Sequence, residues 1–264
     1  MLMEASGYVA AVCIGLILGL LGGGGSILSI PILVYLFHLD AVTASAYSLF
    51  IVGTTSLVGA IPKYKDHLVN IRTGILFGIP SIISIFITRK WIVQSIPEIV
   101  FYSESFVLTK RILILGVFAM LMILASFSMI RNRKELVNET KTVNIFLLVI
   151  EGLIIGFLTG VVGAGGGFLI IPALIFLTNL SFKNAVGTSL FIIAINSLMG
   201  FLGDVLNYPM DWPFLLTITV LAIMGILIGN KFQKQISPTK LRRGFGWLIL
   251  VMGCWILIQE MLIR

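Results

Sequence analysis

Eight stretches of the chain read as apolar runs: Tyr8–Phe37, Ala41–Ile61, Ile71–Thr88, Ile112–Ile130, Val143–Thr178, Ala185–Gly203, Trp212–Gly229 and Phe245–Ile263. Each is near or above the ~18–20 residues that a helix needs to cross a bilayer. Their apolar character is continuous and shows no period-2 alternation, which predicts helices and not a β-barrel. Two runs are long and broken by glycine. The first contains Gly19-Leu-Leu-Gly-Gly-Gly-Gly-Ser-Ile-Leu-Ser-Ile-Pro31, the second Gly160-Val-Val-Gly-Ala-Gly-Gly-Gly-Phe-Leu-Ile-Ile-Pro172. Glycine costs roughly 1 kcal/mol of helix propensity relative to Ala, so clusters like these predict a break with unusual backbone.

Composition supports the membrane reading. The 264 residues are 58% hydrophobic and 11% charged, against about 25% charged in a soluble domain, and mean hydropathy is +1.11. The net charge of +7 comes from basic residues in short loops between spans. That is the pattern of topology signals and anionic headgroups, and it excludes nucleic acid as the expected partner. Cys13 and Cys254 lie inside apolar runs and are expected to be small packing residues, with no disulfide framework or metal site. Met1–Gly7 lacks the basic start of a signal peptide, so the first span is expected to be retained.

Setting Gly15 against Gly156 and advancing without gaps gives a constant offset of 141, and about 19 of 45 positions agree. The matches include Gly22/Gly163, Gly24/Gly165, Gly25/Gly166, Pro31/Pro172, the block Ser48–Ile51 with Ser189–Ile192, Ser56/Ser197 and Gly59/Gly200. The chain therefore divides into two repeats, residues 1–137 and 138–264, joined by the polar stretch Arg131–Lys141. If each glycine-broken run folds back as a hairpin, loops 62–72, 131–144, 179–184 and 230–243 share one side. Those loops then hold 13 of the 18 Lys and Arg, with about 5 elsewhere, a positive-inside bias. The fold expected is an all-α polytopic membrane protein of two inverted-topology repeats. Each would be a glycine-broken helical hairpin plus three transmembrane helices, a recurring plan among secondary transporters. Arg89, Lys90, Lys110 and Arg111 then fall outside, flanking the more polar segment Trp91–Thr109.

Irregular backbone at membrane depth must be buried in protein or line a wet cavity. The glycines leave amide N–H groups available at Gly22–Gly25 and Gly163–Gly167. Ser26 is a plausible cap for the helix that follows, with Pro31 in its first turn. A helix start with free amides attracts anions, and two of them could converge on one. The competing reading is that the glycines only let helices pack closely. Ser48 and Thr55 share one helix face, as do their counterparts Ser189 and Asn196, with Tyr47, Thr54 and Thr188 nearby. Those neutral donors suit a small oxyanion, or make interhelical hydrogen bonds with no ligand. Glu151 and Asp204 are the acids in or beside spans: candidates for proton coupling, or ordinary solvated groups at the interface. His38 and His67 are expected at the surface. Gly22-Gly-Gly-Gly-Ser26 lacks the Lys-Ser/Thr ending of a phosphate loop, and neither cluster fits a dinucleotide fingerprint. No histidine lies near Ser26 to make it a nucleophile.

The pattern G-x-x-x-G-x-G-G-G-x-x-x-x-P of the second half, with Asn184-Ala-Val-Gly-Thr-Ser-Leu190, resembles the sulfite exporter TauE/SafE family of bacterial membrane proteins. The first half departs at the latter motif, reading Ala44-Ser-Ala-Tyr-Ser48. The resemblance implies a plasma-membrane permease that moves sulfite, sulfoacetate or related organosulfur anions, usually outward, and it implies no enzyme and no cofactor. Its motif residues here are Gly22, Gly24, Gly25 and Pro31, then Gly163, Gly165, Gly166, Gly167, Pro172, Gly187, Thr188 and Ser189. The expected substrate site comprises Gly22, Gly24, Gly25, Ser26, Ser48, Thr55, Gly163, Gly165, Gly166, Gly167, Thr188, Ser189 and Asn196, with Glu151 and Asp204 for the proton. The expected partners are a small anion and the lipid bilayer, and a homo-oligomer is compatible with the sequence. A transporter of another small solute, or a non-transporting membrane scaffold or assembly factor, stays open.

Overall fold

The first glycine-broken run turns back on itself. Tyr8, near its start, packs edge-on against Phe37 at its end, with ring centroids 5.9 Å apart. The computed structural model describes residues 2–23, 25–103, 106–130, 144–178, 180–205, 209–233 and 235–261. Helix α1 (Leu2–Leu21) leads into the bend, and α2 (Ser26–Pro31) leaves it and continues as a π-helical turn, Ile32–Leu36. Three longer elements follow: α3 (Ala41–Lys65), α4 (Ile71–Ile87) and α6 (Lys110–Ile130). Between α4 and α6 come a second π-turn, Thr88–Ile92, the short α5 (Val93–Ser95) and an antiparallel hairpin of β1 (Ile99–Ser103) and β2 (Phe106–Thr109). The second half has α7 (Ile145–Val162), a second bend, α8 (Gly167–Leu177), α9 (Phe182–Val205), α10 (Trp212–Gln233) and α11 (Pro238–Met261). Seven helices of the described residues are long and apolar enough to cross a membrane, as an all-α polytopic membrane protein requires.

Helix starts are set by local chemistry. Asp40 caps α3 by accepting from the Val42 and Thr43 amides, Asn70 caps α4, and Asn144 caps α7. Helix α7 ends on left-handed Gly163 (φ 80°), a backbone that glycine adopts without a Cβ penalty.

Packing repeats between the halves with roles exchanged. Helix α1 lies along α10 as its counterpart α7 lies along α4, and α3 meets α10 as α9 meets α4. Helices α3 and α9 pair with each other, as do α6 and α11. Close approach rests on glycine stripes. A Cβ on Gly19 would lie 2.6 Å from the Ile226 carbonyl oxygen of α10, and one on Gly152 would lie 2.6 Å from the Phe77 carbonyl oxygen of α4. This is small-residue packing as membrane helices use it. It accounts for Gly15, Gly19, Gly152, Gly156 and Gly160, but not for the glycines of the bends.

Several expectations change. Pro31 is the last residue of α2 and not part of its first turn, and its missing amide falls where the helix loosens into a π-turn. Ser26 does not cap α2; its hydroxyl donates back to the Gly23 carbonyl at 2.7 Å. Cys13 and Cys254 face outward and do not pack inside. The more polar segment Trp91–Thr109 contains a hairpin that exposes Phe101 and Tyr102. Arg89 and Lys110 are buried. His38 and His67 are exposed loop residues, as expected. The Arg131–Lys141 linker, and with it the boundary between 1–137 and 138–264, lies outside the described residues.

The glycine stripes can be tested away from the bends. A Cβ on Gly156 would lie 2.8 Å from the Ser81 Cα, so Gly156→Val is expected to destabilise the bundle by about 1–3 kcal/mol. Gly116 has nothing within 4 Å, and Gly116→Ala should be neutral or stabilise by about 1 kcal/mol. Thermal unfolding of the two variants in detergent reads the difference.

Candidate functional site

The two bends meet. A Cβ at Gly23 would lie 3.0 Å from the Gly167 Cα, so the backbones touch where the first bend ends and α8 begins. Gly22 (φ 69°) and Gly23 (φ 132°) on one side, and Gly163, Gly165 (φ 68°) and Gly166 (φ 70°) on the other, have conformations that L-residues rarely adopt. The N–H groups of Gly23 and Gly25, and of Gly165, Gly166 and Gly167, have no hydrogen-bond partner among the described residues. Gly24 lies outside the described residues.

Helices α3 and α9 flank this junction. A Cβ on Gly165 would lie 2.8 Å from both the Ser197 hydroxyl of α9 and the Val52 side chain of α3. Gly166 presses on Thr159 of α7. Two buried oxygens without a partner lie at the second bend, Ser197 on α9 and Thr159 on α7. Thr55 and Ser56 on α3 and Asn196 Oδ1 on α9 are likewise buried without a partner among the described residues. At an offset of 141, Thr55 corresponds to Asn196 and Ser56 to Ser197. Each such group costs about 1–3 kcal/mol when left unpaired, and native folds hold few of them. With Ser197 and Thr159 set against backbone amides that are also unpaired, the buried junction presents neutral amide and hydroxyl donors, while Asn196 Oδ1 can only accept. Such a junction can replace part of the hydration of a small anion.

The remaining expected site residues are placed as follows. Ser48 is buried and shares a 2.5 Å hydrogen bond with Ser29 of α2. Ser189 donates to the Gly22 carbonyl at 3.2 Å and to the Val186 carbonyl at 2.8 Å, holding the first bend against α9. The amide of Asn196 donates to Ser81 at 2.6 Å, leaving Oδ1 unpaired. Thr188 is buried but faces the loop before α4, where its hydroxyl accepts from the Asn70 amide at 2.9 Å. Tyr47 accepts from the Asp211 amide. Glu151 is half-buried on α7, and its Oε2 has no partner among the described residues. Asp204 is not an interfacial acid: it is fully buried and paired with Arg89 at 2.6 Å. The expected site does not include Ser56, Ser197, Thr159 or Arg89. Ser56 and Ser197 were visible as identities of the repeat, whereas nothing local to Arg89 marks it as buried.

The two ends of the bundle differ. At the basic end, a cavity of about 650 Å³ is lined by Lys63, Asp66, Phe182, Lys183, Gln233, Gln235 and Ser237, among others. Lys63 is buried and donates to Gln233. At the opposite end, Phe50 and Phe201 lie tilted with ring centroids 4.9 Å apart, and Trp212 meets both edge-to-face. Phe37 meets Phe214 at the same separation of 4.9 Å. Two ion pairs tie this end: Arg89 with Asp204, and Arg111 with Glu260 at 2.9 Å, the latter carboxylate also accepting from Tyr35. Among the described residues, no cluster of His, Cys, Asp and Glu could hold a metal ion.

Comparison with known proteins identifies the family of the chain. The family model for the sulfite exporter TauE/SafE matches residues 8–256. A probable membrane transporter protein of Xylella fastidiosa (strain 9a5c) is 28% identical over 254 residues, covering 92% of this chain and 91% of its own length. The probable membrane transporter protein YdhB of Bacillus subtilis is 30% identical over 230 residues, 87% of this chain and 90% of its own. A probable membrane transporter protein of Methanocaldococcus jannaschii is 27% identical over 267 residues, 94% of each chain. No solved structure matches. The seven apolar helices and the relatives make this a multi-pass protein of the bacterial plasma membrane, embedded in lipid. The match spans nearly the whole chain, bends and flanking helices included, and the chain belongs to the sulfite exporter TauE/SafE family, a family of membrane transporters.

Proposed function

We propose that this transporter exports a small anion, sulfite or an organosulfonate such as sulfoacetate, by alternating access between two inverted repeats. The observation that carries the proposal is the meeting of the two bends, where unpaired glycine amides lie beside the unpaired hydroxyls of Ser197 and Thr159. The repeat-matched positions Thr55, Ser56 and Asn196 on the flanking helices also carry buried oxygens without a partner among the described residues. The amides of Gly23, Gly25 and Gly165–Gly167 replace hydration. Thr55, Ser197 and the flanking hydroxyls add donors, while Ser48, Ser189 and Ser26 hold the bends in place. Gly22 and Gly163 supply the turns, and Gly24, by its repeat position, would add a further amide. The exchanged packing of α1 on α10 and α7 on α4 supports two halves that rock against each other.

The basic end faces the cytoplasm by the positive-inside rule. The cavity beneath Lys63 is therefore an inner vestibule, and the end closed by aromatic rings faces outward. An anion entering from the cytoplasm meets two lysines first. Leaving an inside-negative cell gains roughly 2.3 kcal/mol per charge per 100 mV, so export of a monoanion can run without a coupling ion. Glu151 or Asp204 would carry a proton where the gradient contributes.

Labelled sulfite should cross proteoliposome membranes only when the protein is present. Sulfonates should compete and cations or amino acids should not, and an imposed pH gradient tests coupling. Competition by cations or amino acids would favour another solute, and absent flux would favour a scaffold. Gly165→Ala places a Cβ against Ser197 and misaligns the bend. In variant protein that stays folded, loss of one charge-assisted hydrogen bond predicts roughly 10–100-fold weaker sulfite affinity. Unchanged affinity would contradict the backbone-amide site. Ser197→Ala and Thr55→Val remove unpaired buried hydroxyls. Thermal stability should hold or rise by up to about 1–3 kcal/mol while sulfite affinity falls, a combination that a purely structural role does not produce.

A further inference from the structure

Arg89 is the largest fully buried side chain in the protein's described core, and transport as proposed above leaves it unused. It sits in the π-turn Thr88–Ile92, a helix irregularity frequent at functional sites. Its Nε donates to Asp204 Oδ2 at 2.8 Å, its Nη2 to Ser45 at 2.8 Å, and its Nη1 to the Gly160 carbonyl at 3.3 Å. Asp204 meets the guanidinium through one oxygen, also 2.6 Å from Nη2, and Oδ1 is buried with no partner. A pair of this kind is weak evidence for stability, since apolar residues of similar volume often serve as well. Its position is more informative. Ser45 abuts Gly163, where a Cβ would lie 3.0 Å from the Ser45 Cα, and Gly160 is one turn before the second bend. The guanidinium therefore stands beside the proposed anion site, on the outward side.

We propose that Arg89 is an anion-binding residue of the outward half of the route, and that the Asp204 carboxylate is a tethered stand-in occupying it when substrate is absent. This rests on the anion-transport reading above. A guanidinium accepts carboxylate and sulfur oxyanions through the same fork of N–H donors. An oxyanion arriving from the glycine junction takes the place of Oδ2 on Arg89, and the return of Asp204 expels it. The repeat sharpens the idea. At an offset of 141, the counterpart of Asp204 is Lys63, at the head of the inner cavity. One repeat position thus carries a cation where anions enter and an anion where they leave.

The test uses the full chain in proteoliposomes with labelled sulfite. Asp204→Asn should lower the apparent KM for sulfite offered at the outer face by on the order of tenfold, the equivalent of about 1.4 kcal/mol. Adding Arg89→Gln should abolish that gain. Exchanging the pair, Arg89→Asp with Asp204→Arg, should restore thermal stability but not flux. Recovered flux in the exchanged protein, or an unchanged outer KM in Asp204→Asn, would overturn the proposal. If these variants do not fold, the wild type decides: the Arg89 Nε–H resonance, assigned in arginine-labelled protein, should move on sulfite titration, and an unmoved signal at saturation refutes binding there. Wild-type flux with an unmoved Arg89 sinks this inference alone, whereas absent flux of sulfite and sulfonates sinks the transport reading with it.

Discussion

A backbone amide in a lipid bilayer has no water to turn to, and this constraint governs the rest of the molecule. Every regular helix satisfies it internally, while a bend at membrane depth cannot. The chain places two such bends against each other at Gly23 and Gly167 and seals them between α3 and α9. Only glycine lets the backbones approach that closely with left-handed φ. Pinning by Ser189 on the Gly22 carbonyl and by Ser48 on Ser29 fixes the bends from the side. What remains unpaired at the junction is a set of donors and oxygens whose cost is understandable if a ligand intermittently shares it.

The second feature is the contrast between the ends. A pseudo-symmetric packing scheme carries asymmetric chemistry: a cavity with Lys63 and Lys183 at the basic end, packed aromatic rings, one buried ion pair and one partly exposed one at the other. In the proposed orientation Arg89 and Arg111 sit on the side where free basic residues are disfavoured, yet neither is a free loop charge. Each is held by an acid from the second half, Asp204 or Glu260. In the proposed mechanism the same asymmetry gives direction, since inner lysines admit an anion and the outer carboxylate competes with it.

Much of this was legible in the sequence. Hydropathy defined the helices, and the offset of 141 exposed the repeat, the matched glycines and prolines, and the polar positions Thr55 and Asn196. A single-residue periodicity cannot tell which way a hydroxyl finds its partner. Thr188 therefore turned out to serve the Asn70 amide, while Ser197, an identity of the repeat, stands nearer the bend. Arg89 was hidden because its contacts, Ser45, Gly160 and Asp204, are distant in the chain and belong to three different helices. Ser26 and Pro31 depart from expectation because capping rules assume an isolated helix start, whereas here Gly25 begins α2 against the backbone of α1. The cysteines face outward because, in lipid, an apolar residue has no preference for the interior.

The central claim is that the facing glycine amides hold the anion, and locating a bound anion addresses it directly. Selenite is a heavier analogue of sulfite with strong anomalous scattering. Crystals of the full chain grown with it should show a selenium peak at the junction, within hydrogen-bond distance of amides from both Gly23–Gly25 and Gly165–Gly167. A peak confined to the cavity below Lys63, or to the protein surface, with the glycine junction closed and unchanged, would contradict the account.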